Sequence, residues 1–202
     1  MRSRTLTALV LAIAMLLSVL LAGEAFAQRA AGRQWRWDLI QIGVGMTALA
    51  GGTDTSRDAA TGETISLTGS GQFRPSARTA SGGGTFVHKR ADGTEVAHGV
   101  YIVSSFRNFR LGGGTPPPVT DGILTPRLGT PQSGVLRLGI RLVPDVNGKP
   151  GPARRATLRV FCHFKGNRLG LEESDEGIQL GTGNLHFRQV EGQGFTVFHV
   201  LR

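Results

Sequence analysis

The stretch that most constrains this chain is Val135 to Val143, where Leu136, Leu138, Ile140 and Leu142 alternate with Arg137, Gly139 and Arg141. Side chains spaced by two share one face of a β-strand, whereas a helix would scatter them around its circumference. The segment therefore reads as a half-buried strand with one apolar and one basic face. The stretch Ala156 to Phe164 repeats the pattern. Leu158, Val160, Cys162 and Phe164 point one way, and Thr157, Arg159, Phe161 and His163 the other. A Pro/Gly-rich connection, Pro144 to Pro152, separates the two, which are expected to pair as an antiparallel hairpin.

Period-two patterning continues along the chain. Strands are predicted near 37–46, 63–74, 84–90, 95–104, 176–180, 184–190 and 195–201. Ala91-Asp92-Gly93-Thr94 reads as a tight primed turn that sets Arg90 opposite Glu95, and Glu191-Gly192-Gln193-Gly194 as the turn of a last hairpin. Residues 112–134 hold GGGTPPP and two further prolines, which cannot donate to a central ladder. Residues 48–62, rich in Gly, Thr, Asp and Ala, read as a mobile connection. No amphipathic helix pattern is present. The expected class is all-β, an antiparallel sandwich or small barrel of about 8–10 strands.

The N-terminus has the parts of a cleavable secretory signal. Arg2 and Arg4 precede an uncharged run, Leu6 to Ala22, and Ala25-Phe26-Ala27 offers a cleavage site before Gln28. The expectation is export to the periplasm or medium as one domain, residues 28–202, with no transmembrane segment after cleavage. The sole cysteine, Cys162, excludes an intrachain disulfide despite an oxidising destination, so stability must come from burial. It reads as a small buried apolar residue.

Cleavage removes Arg2, Arg4 and Glu24, lowering the formal net charge from +9 to +8. Glu172, Glu173, Asp175 and Glu176 concentrate much of the acidity in one place, so the remainder is strongly basic. Such a surface attracts anionic polymers. Arg outnumbers Lys 20 to 3, a bias that a GC-rich genome would also produce.

The alternation places Arg137, Arg141 and Arg159 on the outward face of the predicted hairpin, with Arg155 and His163 on the same parity. Forked guanidinium donors suit phosphate, sulfate or carboxylate, although any solvated strand face also carries charge. Trp35 and Trp37, spaced by two, could form an aromatic platform, or could pin a terminal strand to the core. The acidic cluster lacks the spacing of a calcium loop, and His88, His98, His163, His186 and His199 show no zinc spacing. No catalytic or phosphate-cradling motif occurs. Neither a cofactor, a metal nor a specific nucleic-acid motif is indicated.

Thr68-Gly69-Ser70-Gly71-Gln72-Phe73, followed by Gly82-Gly83-Gly84-Thr85-Phe86 and the Asp-Gly turn, resembles uncharacterised exported bacterial β-proteins, a resemblance that implies no activity. The same G-x-G-x-F piece is similar to a glycine-rich turn of the dirigent and allene-oxide-cyclase barrels, where it lies later in the domain. The sequence thus points to a non-enzymatic extracytoplasmic binding or structural module whose cationic strand face meets anionic polysaccharide or another envelope polymer. The alternative is a small barrel holding an apolar ligand, with isomerase- or cyclase-type chemistry at its mouth. A filled interior would favour the first, a polar-lined pocket the second.

Overall fold

The computed structural model describes residues 32–123, 128–190 and 192–201; the predicted signal lies outside the described residues. Fifteen strands follow in chain order: β1 (Trp35–Gly43), β2 (Thr47–Ala50), β3 (Thr53–Asp58), β4 (Thr64–Thr68), β5 (Ser70–Arg74), β6 (Thr79–Lys89), β7 (Glu95–Leu111), β8 (Thr120–Asp121), β9 (Leu128–Gln132), β10 (Gly134–Val146), β11 (Lys149–Pro150), β12 (Arg154–Cys162), β13 (Gly177–Thr182), β14 (Leu185–Gln189) and β15 (Phe195–Leu201). Among the described residues the helical content is one 3-10 turn, Glu173–Asp175, and no helix is long and apolar enough to cross a membrane.

Eight strands close an antiparallel barrel in the order β3-β4-β6-β7-β10-β12-β13-β14 and back to β3. The class is all-β, and of the two expected architectures it is the barrel. Closure follows from alternation. Leu136, Leu138, Ile140 and Leu142 on β10, with Leu158, Val160 and Cys162 on β12 and Phe164 just beyond it, are all buried and share one core. Ile65, Leu67, Phe86, Tyr101, Val103, Ile178, Leu180 and Phe187 bring the other walls to the same interior. Burying each Leu or Ile contributes roughly 1.5–3 kcal/mol, so this filled axis dominates stability.

A second layer splits off where β4 bends into β5. The bend is at Gly69, whose φ of +141° is unfavourable for a side chain, and a Cβ there would lie 2.4 Å from both the Gly83 carbonyl oxygen and the Tyr101 hydroxyl. Beyond the bend β5 still pairs with β6, but its other edge takes β1, which in turn pairs with β15 and β2. This layer seals one end of the barrel with Trp35, Phe73, Phe106, Phe109 and Phe198, whose rings meet at centroid distances of 4.8–6.2 Å.

Three local expectations are corrected. Only Gly93 has positive φ in the Asp-Gly turn, so the loop has three residues closed by Arg90 and Thr94, and Glu95 stands opposite Lys89 rather than Arg90. Residues 48–62 are no mobile connection: they carry β3, a wall of the barrel. Nor do β14 and β15 form a hairpin. β14 pairs with β13 and β3, and the chain then crosses to the second layer, where β15 lies between β1 and β9.

Candidate anion-binding trough

The outer wall of the barrel carries a shallow trough across β10, β12, β13 and β14. Its floor is formed in register by Thr157 on β12, Gly181 on β13 and His186 on β14; Gly139 on β10 continues the row but lies outside the lining, covered by Ser105 and Arg107. Two residues away along the strands, one margin is formed by Arg137, Arg159 and Gln179 in register. The other is formed by Arg141 opposite Arg155. Barrel walls are normally convex, and the small floor residues make this one concave. The concavity measures about 670 Å³, and its lining includes Arg107, Arg137, Arg155, Arg159, Arg188 and His186. Arg141 lies on the same face but outside that lining.

Arg107 enters through a β-bulge. Opposite β10 the register of β7 slips between Arg137 and Leu138 and again between Gly139 and Ile140, which leaves Arg107 and Ser104 as extra residues. The bulge delivers the Arg107 guanidinium over Gly139, where a Cβ would lie 3.5 Å from its nitrogens. Gly139 is consequently buried although it points outward.

The charge pattern is lopsided. Arg137 stands directly opposite Arg159, Arg141 opposite Arg155, and Arg188 opposite Arg57 on β3. Like charges facing each other across a ladder are destabilising by several tenths of a kcal/mol, up to about 1. Among the described residues no acidic side chain forms an ion pair with any of these arginines. The close ion-pair contacts there are Arg36–Asp38, His88–Glu63, His98–Glu95 and His199–Asp121, all away from the trough. Arg36 shows the alternative a protein can choose: its guanidinium forks onto the buried Asp38 carboxylate at 2.7–3.0 Å.

The remaining sequence candidates lie apart from the trough. Trp35 and Trp37 are 1% and 0% exposed, so the aromatic platform is corrected: both indoles pin β1 to the core and no ligand reaches their faces. His163 continues the β12 parity just past the end of the strand. The acidic cluster divides. Glu172 and Asp175 cap the 3-10 turn, while the Glu176 carboxyl turns inward, accepts from the Thr196 N–H at 2.7 Å and the His163 N–H, and lies 3.0 Å from the Thr196 hydroxyl, which donates to the Phe161 carbonyl at 2.6 Å.

The inward turn of Glu176 exposes what sequence reasoning missed inside the barrel. On β3 the inward residues are Asp54, Ser56 and Asp58, all buried, whereas Arg57 points out. Ser56 donates to the Ile178 carbonyl at 2.6 Å, and Asp58 accepts from the His186 N–H at 2.6 Å, which fastens β14 to β3. Asp54 Oδ2 is buried without a hydrogen-bond partner. Burial pushes the Asp54 carboxyl up to about 7, against the backbone N–H groups of Thr55 and Ile178. Burial likewise pushes Glu176 up to about 8, and the nearby Asp54 charge adds to the rise. Asp54 is closed off from solvent, and the Glu176 oxygens are held by the Thr196 and His163 N–H groups beside the Thr196 hydroxyl. His199 is also fully buried; its Nε2 lies 2.9 Å from Asp121 Oδ2, and its Nδ1 has no hydrogen-bond partner among the described residues.

No protein-family model, no curated protein and no solved structure matches the chain. Function must therefore be read from the side chains themselves.

Proposed function

We propose that this protein is a non-enzymatic binding module, acting outside the cytoplasm, whose arginine-lined trough holds an anionic component of the cell envelope. One observation carries the reading: among the described residues, arginines face arginines across adjacent strands with no acid paired to them. A face selected only for solubility would gain by alternating sign, because each cross-strand Arg–Glu pair stabilises by about 0.2–1 kcal/mol where Arg–Arg destabilises. An anion seated between the rows would offset that repulsion with charge-assisted, forked hydrogen bonds. The filled barrel supports this reading over a ligand-holding barrel. Leu, Ile, Val and Phe side chains fill the interior beside the buried Asp54, Ser56 and Asp58 and the inward Glu176 carboxyl, and the arginine-lined concavity opens on the exterior.

The test holds net charge constant. Arg137, Arg155 and Arg159 changed together to Gln is compared with Arg33, Arg78 and Arg90 changed together to Gln, three exposed residues away from the trough. Binding to polygalacturonate is followed as a function of salt. The trough variant should show far weaker affinity, and its slope of log K against log salt should flatten by about one for each arginine removed. Equal weakening in the two variants would leave only general attraction between a basic protein and a polyanion, and the assignment of a site would fall.

A further inference from the structure

We infer that the occupant of the trough is one unbranched acidic glycan, laid across the strands at about one sugar per strand; this deepens the anion-binding reading and rests on it. The floor and margins set the width. Gly139, Thr157 and Gly181 are in register on three neighbouring strands, with arginines two residues away on both sides of the first two. Two residues along a strand span about 6.7 Å, so the two arginine rows stand about 13 Å apart. A lone phosphate needs one fork. A channel with guanidinium on both margins at β10 and β12, and with only the small Thr157 and Gly181 in the middle of β12 and β13, suits a chain that projects charged groups to either edge.

The repeat across the strands narrows the chemistry. Neighbouring strands lie about 4.8 Å apart, close to the advance of one sugar along an extended glycan. Carboxylates on successive uronic acids therefore reach Arg137 on β10 and Arg159 on β12, the Gln179 amide offers a neutral donor on β13, and Arg188 lines the trough on β14. Polyphosphate carries its charges at a shorter repeat and would leave many unmatched. A bilayer presents a plane of headgroups, which meets the arginine margins without descending to Gly181. Of the two rings in the lining, Phe187 is only 2% exposed and belongs to the core, which leaves the single His186 imidazole, too little to stack the successive bases of a single-stranded nucleic acid. Between the arginines stand the Thr157 hydroxyl and the exposed His186 ring, polar groups of the kind that sugar hydroxyls bond.

The decisive perturbation fills the floor and keeps every charge. Gly181 sits in a strand without positive φ, and a Cβ there meets only His186 Nδ1 at 3.7 Å, an ordinary contact. Gly181→Leu therefore blocks the channel without a clash at its Cβ, and Thr157→Leu, on a half-exposed position of the neighbouring strand, blocks it independently. Binding of oligogalacturonates of defined length is measured by calorimetry, with polyphosphate, single-stranded DNA and phosphatidylglycerol vesicles as comparison probes. For the unaltered protein, affinity should climb with length to about four sugars, one for each of β10, β12, β13 and β14, and then level off. Each floor variant should bind the tetramer about tenfold or more weakly while its binding to vesicles stays unchanged. Undiminished glycan binding in both floor variants, no dependence on length, or tighter binding of polyphosphate, DNA or vesicles than of glycan at equal charge would overturn the threaded glycan. If the arginine triple abolishes binding while both floor variants bind normally, the anion site stands and the thread does not. If neither kind of change matters, both readings fall together.

Discussion

Replacing Asp54 by Asn probes the two carboxyls inside the barrel, and its effect can be worked out beforehand. In the unfolded chain Asp54 and Glu176 ionise near their ordinary values of about 4. In the fold they ionise near 7 and 8, because burial penalises the charged forms. Acids raised in this way stabilise the fold fully below pH 4 and lose that contribution as pH climbs toward the folded values. Between about pH 5 and 7 each carboxyl that stays protonated only in the fold costs about 1.4 kcal/mol of stability per pH unit, so two cost about 2.7. Other shifted carboxyls do not interfere: Asp58 and Asp92 are held below their usual range by hydrogen bonds, so they act at lower pH. The assay is urea unfolding at half-unit steps from pH 5 to 7.5. Asp54→Asn removes one of the two protons, should roughly halve the slope, and lowers the value at which Glu176 ionises by removing the neighbouring charge. Stability that is flat or rising with pH over this window in the unaltered protein would refute the reasoning.

Two further outcomes are expected. Leu138 is fully buried at the centre of β10, so Leu138→Ala should cost about 2–5 kcal/mol including the cavity it leaves; an unchanged urea midpoint would contradict the assignment of inward and outward faces. Export should leave a mature chain beginning at Gln28, read by mass spectrometry of the N-terminal peptide; an exported protein still carrying residues 1–27 would contradict cleavage.

Legibility from sequence followed the hydrophobic alternation. Where one face of a strand is apolar, as on β10 and β12, period two disclosed the strand, its partner and the direction of Arg137, Arg141, Arg155 and Arg159. It failed on β3, whose inward residues are Asp54, Ser56 and Asp58: the usual polarity is reversed, and the strand that closes the barrel looked like a loop. The outward arginines Arg57 and, on β14, Arg188 were missed with that pairing, although Phe187 pointing inward signals the direction of Arg188. Arg107 was beyond reach for another reason. A bulge adds one residue to a strand and inverts the parity after it, and single-sequence periodicity does not register the slip. Trp35 and Trp37 were ambiguous because two indoles at a spacing of two serve equally to bind a ligand or to fill a core.

The pairing of β1 with β15 also governs the timing of assembly. Trp35 faces Val200 and Ile40 faces Phe195, so the first of the described strands has the last of them as its neighbour. Until Phe198 arrives, Trp35 and Phe73 lack part of the aromatic cluster that seals the barrel end. Contacts this distant in sequence delay folding, toward the millisecond-to-second regime typical of β topologies, because the whole loop must close before they form. A nascent chain is therefore held in an unfinished state until β15 has been made. The same pairing makes any truncation from the C-terminus far more damaging than its length suggests.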